Sequence, residues 1–277
     1  MSESAPLPDL SSEYPLTDEQ VAYFRENGHV FLPGVCTPEE VVAFAPIITD
    51  AAQRFAYPQK PMEERDVFGK AFTLIGGIWN RDENVARFTR ARRFARIAAR
   101  LMGVPGVRLY HDVAINKEPG GGPTPYHQDA YYWPMDTPNT VTMWMPLVDI
   151  TYEMGGLDFA SGSHQAGYLG DGISETSQEY YERIIDRRGY EVVSHARDHG
   201  GMRAGDATFH AGWTLHAAPG NPSGTARQVM TVVLYEDGVP TYRDMGNPHR
   251  EWDFKTYMPG VTPGELAASP LNPVVYP

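Results

Sequence analysis

The chain has 277 residues, 42% of them hydrophobic and 12% aromatic, enough apolar material for one sizeable core. A formal net charge of -12 sets its surface against nucleic-acid phosphates and anionic membranes, which excludes both as expected partners. The single cysteine, Cys36, excludes an intrachain disulfide framework, and neither a secretory leader nor a membrane-spanning apolar run is visible, so the chain reads as soluble and cytoplasmic.

Residues 1–15 are polar and rich in Pro and Ser, and read as a loosely ordered lead-in. Thr17 and Gln20 form a capping-box pattern that starts a short helix, and Gly28 ends it. Residues 29–33 read as a strand. Thr37-Pro38-Glu39-Glu40 is a second capping box, with Pro at the first helical position, and opens a helix to about Phe55. A third helix is expected over residues 83–102, with Val85, Phe88, Phe94, Ile97 and Leu101 on one face. The arginines at 87, 90, 92, 93, 96 and 100 read as its solvated face.

After Gly103 the texture changes. Segments 107–117, 140–150, 155–160, 206–211 and 227–236 are short and rich in Val, Thr, Tyr and Met, with Gly/Pro/Asn/Asp clusters between them. Many short strands separated by turn chemistry predict a sandwich or closed barrel. Residues 165–200 carry no readable signal, and residues 237–277 read as an irregular segment wrapping the barrel. With no repeat and no long linker, the chain is expected to form a single domain over residues 1–277.

The chemistry centres on His127-Gln128-Asp129. On an extended strand, side chains two apart share a face, so His127 and Asp129 aim at one point. His216, 89 residues further on, completes two histidines and one carboxylate. That set holds one face of an octahedral metal and leaves three positions open, as in non-haem Fe(II) oxygenases. Zinc accepts the same donors, so a cupin-like metal-dependent hydrolase or isomerase is the alternative. Arg227 separates the two readings. It opens the apolar strand 229–234, expected to return beside the strand of His216, and its guanidinium fork suits the distal carboxylate of a chelating dicarboxylic acid. His210 is expected to support the metal site rather than to ligate, and His111 to be a barrel histidine. Tyr132 and Trp133 are candidate substrate walls.

These features occur together with others in a fixed order. The entry Phe24–Glu40, then Ile115-Asn116-Lys117, HQD, Trp144, Gly155-Gly156-Leu157, Ser161-Gly162-Ser163-His164, Gly205-Asp206, His216, Asn221 and Arg227 resemble the phytanoyl-CoA dioxygenase family of Fe(II)/2-oxoglutarate oxygenases. The resemblance implies a mainly β fold, a double-stranded β-helix (a jelly-roll or cupin-like barrel) with N-terminal helices packed on it. It implies His127, Asp129 and His216 as catalytic iron ligands, Arg227 as the anchor of 2-oxoglutarate, and Gln128 and Trp144 as lining of the co-substrate pocket. It further implies O2 as oxidant, ascorbate as an optional reductant, and release of succinate and CO2. The expected outcome is hydroxylation of an unactivated C–H bond in a small, hydrophobic natural-product or acyl-type substrate, with desaturation or cyclisation open to the same site. The working form is expected to be a monomer or homodimer.

Overall fold

The computed structural model describes residues 6–174 and 176–277. In chain order the elements are α1 (Asp18–Asn27), β1 (His29–Leu32), α2 (Pro38–Phe55), α3 (Val67–Ala71), β2 (Thr73–Gly76), α4 (Glu83–Thr89) and α5 (Arg92–Met102). There follow β3 (Val107–Lys117), β4 (Thr124–His127), β5 (Thr140–Pro146), β6 (Asp158–Ala160), α6 (Ser177–Arg188) and β7 (Val192–Val193). The last are α7 (His195–Asp198), β8 (Ala207–Ala211), β9 (His216–Ala218), β10 (Arg227–Glu236), α8 (Pro248–Tyr257) and β11 (Val274–Tyr276).

Both predicted capping boxes form. Thr17 accepts from the Gln20 amide and Thr37 from that of Glu40, each glutamyl or glutaminyl side chain reaching back to the cap. Gly28, at φ +79°, ends α1 in the left-handed conformation that glycine adopts without strain. The third helix is two: Ala91 takes ψ 124°, splitting α4 from α5. No glycine or proline marks this break. Tertiary bonds hold it, as the Thr89 hydroxyl donates to Asp112 at 2.9 Å and the Arg93 amide to the Leu10 carbonyl at 3.1 Å.

The strands form two antiparallel sheets, ordered β1-β8-β5-β10-β3-β11 with β2 also on β3, and β4-β9-β6-β7. This is the double-stranded β-helix. Alternation along each strand separates helix-facing from barrel-facing residues. On β5 and β10, Val141, Met143, Met145, Met230, Val232 and Leu234 pack under the N-terminal helices, against Phe44, Ile48, Phe88, Phe94, Ile97 and Leu101. Each such side chain contributes about 1.5–3 kcal/mol when fully buried. The intervening residues, Thr142, Trp144, Arg227, Val229 and Val233, therefore face the barrel. Tyr181 and Ile185 of α6 pack on the outside of the smaller sheet against Tyr126, Leu215 and Ala217. That leaves His127 and His216 facing inward.

Three expectations need correction. Residues 6–15 are not loose, because Leu10 is buried and Arg93 donates to the Ser12 carbonyl; residues 1–5 lie outside the described residues. The tail beyond 237 is not wholly irregular. Asn247-Pro248, a helix-start pattern, opens α8, and β11 joins the edge of the larger sheet. The arginine run is not a free solvated face either. Arg93 pairs with Glu40 at 2.6 Å in a buried setting, Arg96 with Glu13 and Arg100 with Asp18. Among the described residues, no helix is long and apolar enough to cross a membrane.

Candidate active site

His127 closes β4 and His216 opens β9, and the two are direct cross-strand partners in the smaller sheet. Their rings stand 4.2 Å apart between centroids. The strand ends at His127, and Asp129 begins a 3-10 turn, so the turn rather than an extended strand returns its carboxylate to the histidines. Its Oδ1 lies 3.6 Å from Nε2 of His127 and 3.7 Å from Nε2 of His216. One donor atom from each of the three lies within 4.8 Å of the others, close enough to hold a metal ion.

The surroundings prepare these donors. Nδ1 of His127 faces the Pro125 carbonyl at 2.9 Å and Nδ1 of His216 the Thr214 carbonyl at 3.0 Å. Each Nδ1–H is thereby used, and each Nε2 lone pair is left for a metal. The other carboxylate oxygen of Asp129 accepts from the Thr142 hydroxyl at 2.9 Å and contacts Nε2 of His210 at 3.2 Å. Burial opposes ionisation of Asp129, but His216, with hydrogen bonding from His127 and His210, outweighs it and holds the carboxyl well below the usual range. Burial, with His127 and His210, keeps the His216 imidazole neutral. The hydrogen bonds at both Nδ1 atoms thus aim two Nε2 atoms and one Asp129 oxygen at a common point.

Arg227 lies in the opposite sheet, not beside the strand of His216. β10 pairs with β3 and β5, so the guanidinium enters the barrel from the facing wall. It is 2% exposed, hydrogen-bonds the Gly155 carbonyl, and sits 5.2 Å over the Trp144 ring. Its Nε is buried without a partner among the described residues. Lys117, its cross-strand neighbour, is fully buried and donates to the Gly122 carbonyl. Neither cation forms an ion pair among the described residues. Gly155 makes room for both: at φ +95°, an added Cβ would lie 2.8 Å from Lys117 Cδ and 3.1 Å from Arg227 Nη1. Burying two like charges side by side is costly unless an anion joins them. The arrangement fits a dicarboxylate.

Of the remaining sequence candidates, Trp144 lies under the Arg227 guanidinium. Gln128 does not line the pocket. Between two inward residues it points outward, donating to the Gly167 and Trp213 carbonyls and accepting from the Leu169 amide. Its full set of bonds ties the 163–169 segment to the site's outer wall. Tyr132 accepts from the Ile173 amide at 2.8 Å, and Trp133 is 5% exposed in a cluster with Tyr110, Met135, Val233 and Tyr235. In the sequence Lys117 entered only within the Ile115-Asn116-Lys117 motif, with no role of its own, and Thr142 was not singled out. The available signal was parity: Thr142 is two residues from Trp144 on one strand face, and Lys117 ends a strand of alternating character.

The sequence signature described as phytanoyl-CoA dioxygenase matches residues 24–229, and the chain belongs to that family. It is a 2-oxoglutarate-dependent non-haem iron dioxygenase, an oxidoreductase using Fe(II), 2-oxoglutarate and O2. An L-proline trans-4-hydroxylase of Streptomyces griseoviridis is 26% identical over 239 residues, 80% of this chain and 87% of that one. In structure, the carbocyclase SnoK of nogalamycin biosynthesis is similar with a TM-score of 0.74 at 23% identity, covering 94% and 96% of the two chains. The epimerase SnoN, solved with Fe3+, alpha-ketoglutarate and nogalamycin RO, is similar at 0.73 and 22%, covering 93% and 98%. Family membership sets aside the alternative of a metal-dependent hydrolase or isomerase that uses no 2-oxoglutarate.

Proposed function

We propose that the enzyme hydroxylates an unactivated C–H bond of a small, largely hydrophobic molecule, with His127, Asp129 and His216 as the iron ligands. When bound, Fe(II) with 2-oxoglutarate supplies the oxidising chemistry, O2 being consumed and succinate and CO2 released. The chain's residues bind, orient and shield. His127 and His216 present Nε2, and Asp129 presents Oδ1 while His210 and Thr142 hold its partner oxygen. Arg227 and Lys117 take the distal carboxylate of 2-oxoglutarate, and Trp144 forms the wall on which the guanidinium lies. Val233, Trp133 and Tyr132 supply apolar surface beside the ligands and exclude water.

One observation carries this reading: two buried cations, without a carboxylate partner among the described residues, face a histidine–aspartate–histidine set across one barrel. The test is anaerobic titration of the Fe(II)–2-oxoglutarate absorption band, followed by succinate release across a panel of small molecules. A band that forms unchanged in Arg227→Ala, or succinate release without added iron, rejects it.

A further inference from the structure

The inner face of β3 carries groups that neither the iron ligands nor the 2-oxoglutarate anchor uses. Between β3 and β10 the register slips: Val233 opposes His111 and Leu234 opposes Leu109, leaving Tyr110 as an extra residue. Such a bulge turns successive side chains toward one face and re-aims them. Tyr110 packs with Val233 and Tyr235, which face the barrel, and His111 lies beside it at 4.5 Å between ring centroids. Tyr257 of α8 closes on both rings, at 5.4 Å from Tyr110 and 4.7 Å from His111.

From the same helix Asp253 reaches into this group, and the Tyr110 hydroxyl donates to its Oδ2 at 2.8 Å. Asp253 has no ion-pair partner among the described residues. Arg250, one turn earlier, is turned away, donating to the Met245 and Ala130 carbonyls and lying over Tyr242. His111 is 9% exposed, and its Nδ1 is buried without a hydrogen-bond partner among the described residues. Among the described residues, then, a carboxylate lacking a cation, an imidazole nitrogen lacking a donor and two tyrosine rings stand together.

We propose that Asp253, His111, Tyr110 and Tyr257 form an ammonium-binding pocket, so that the enzyme's substrate is an amine. The pocket offers what an alkylammonium needs on leaving water: a negative charge, a lone pair to accept an N–H, and aromatic faces. Burial lowers His111 to about 4, so its ring is neutral near pH 7 and does not repel a cation. Burial raises Asp253 to about 7, Tyr110 opposing, as for a carboxylate whose countercharge has yet to arrive. His111 opposes Val233 of β10, Val233 opposes Thr142 of β5, and the Thr142 hydroxyl holds Asp129, while Tyr132 packs against the cluster of Tyr110 and Val233, so the pocket adjoins the metal ligands. An amine held at Asp253 would run its apolar body past Tyr132 toward the ligands. This inference rests on the iron-site reading above and names the substrate class for it.

The test uses full-length protein loaded with Fe(II) and 2-oxoglutarate under argon, titrated calorimetrically with cyclohexylamine, phenethylamine and piperidine, each against its N-acetyl derivative. Acetylation removes the charge and keeps the apolar body. Wild type should bind each amine at least about tenfold more tightly than its neutral partner, a preference between those of exposed and fully buried charge pairs. Asp253→Asn, which keeps the shape of the side chain, should abolish that preference, whereas Tyr110→Phe, which keeps the carboxylate, should retain it. Equal binding of amine and amide by wild type overturns the proposal. So does an undiminished preference in Asp253→Asn, or its loss in Tyr110→Phe. The Fe(II)–2-oxoglutarate band, recorded on the same samples, separates the two readings: a normal band without amine preference sinks only the ammonium pocket.

Discussion

At Asp129 the two carboxylate oxygens have different partners. Oδ1 lies near the Nε2 atoms of His127 and His216, whereas Oδ2 is held by His210 and Thr142. Loss of His127, Asp129 or His216 removes a donor and should abolish iron-dependent turnover. His210→Ala and Thr142→Val leave all three donors and remove only what orients Asp129. They should weaken Fe(II) binding roughly 10- to 100-fold without abolishing it. Iron titration of the variants checks this, and full loss of iron in His210→Ala would make that histidine a ligand instead. Across the barrel, in the role proposed for Arg227, its replacement by Ala removes half of a buried charge pair with 2-oxoglutarate, at a cost of about 2–5 kcal/mol, or roughly 30- to several-thousand-fold in affinity. Lysine should rescue it only in part, lacking the planar fork. Burial, and then Arg227, lowers the Lys117 ammonium to about 7. Above pH 7 the free protein loses that charge, so 2-oxoglutarate should bind more weakly as pH rises from 7 to 9. Lys117→Arg, charged throughout, should flatten the dependence; a wild-type Kd constant over this range would remove Lys117 from the site.

Among the elements, α5 shows how a run of like charges is put to work. Glu40 near the start of α2 accepts both guanidinium nitrogens of Arg93, and Arg93 also bonds the Val35 and Ser12 carbonyls. One side chain thus joins α2, the chain after β1 and the segment leading into α1. Arg93→Ala would leave the Glu40 carboxylate buried without its partner and should cost about 3–5 kcal/mol of stability. Urea denaturation measures it, and a loss below 1 kcal/mol would mean the pair adds nothing to the packing of Phe94 and Ile97. Gln128 plays a comparable part on the other sheet. Gln128→Leu leaves two carbonyls and one amide unsatisfied and should cost about 2–4 kcal/mol while Fe(II) still binds. Only the first of these devices was half legible in the sequence: the capping box placed Glu40, but nothing local assigned it an arginine 53 residues away.

Over the whole molecule, several histidines are buried without charge. Burial, aided by neighbouring histidines, lowers His29 to about 3; burial, then His199, lowers His195 to about 4, and burial alone dominates at His111, at about 4. His29 and His195 share a 2.9 Å hydrogen bond, and His29 a 2.8 Å bond with Ser161. All three lie below the ordinary histidine value, so between about pH 4 and 6.5 the unfolded chain binds protons that the folded chain refuses. Their contribution is complete above pH 6.5 and is lost as pH falls. Asp112 and Asp253, raised by burial to about 6 and about 7, act in the opposite sense and make the decline shallower. The urea midpoint should therefore be lower at pH 5.0 than at pH 7.5, and His29→Gln should narrow the gap. A midpoint that rises on acidification would contradict this.

What the residues determine alone is local or ordinal. Capping boxes at Thr17 and Thr37, the stop at Gly28 and the strands over 107–117 and 227–236 depend on neighbours a few positions apart, and all were legible. So was the convergence of His127, Asp129 and His216, because a metal-binding set demands particular side-chain chemistry whatever the fold around it. The tertiary structure alone decided which partners meet. It split the third helix at Ala91 through bonds to Asp112 and Leu10, and it set Arg227 in the sheet facing His216 rather than beside it. It also turned Gln128 outward and brought Lys117 against Arg227. Those outcomes depend on strand pairing between residues tens to more than a hundred positions apart. Sequence spacing carries no term for such pairing; it is settled when the two sheets bury their inner faces together.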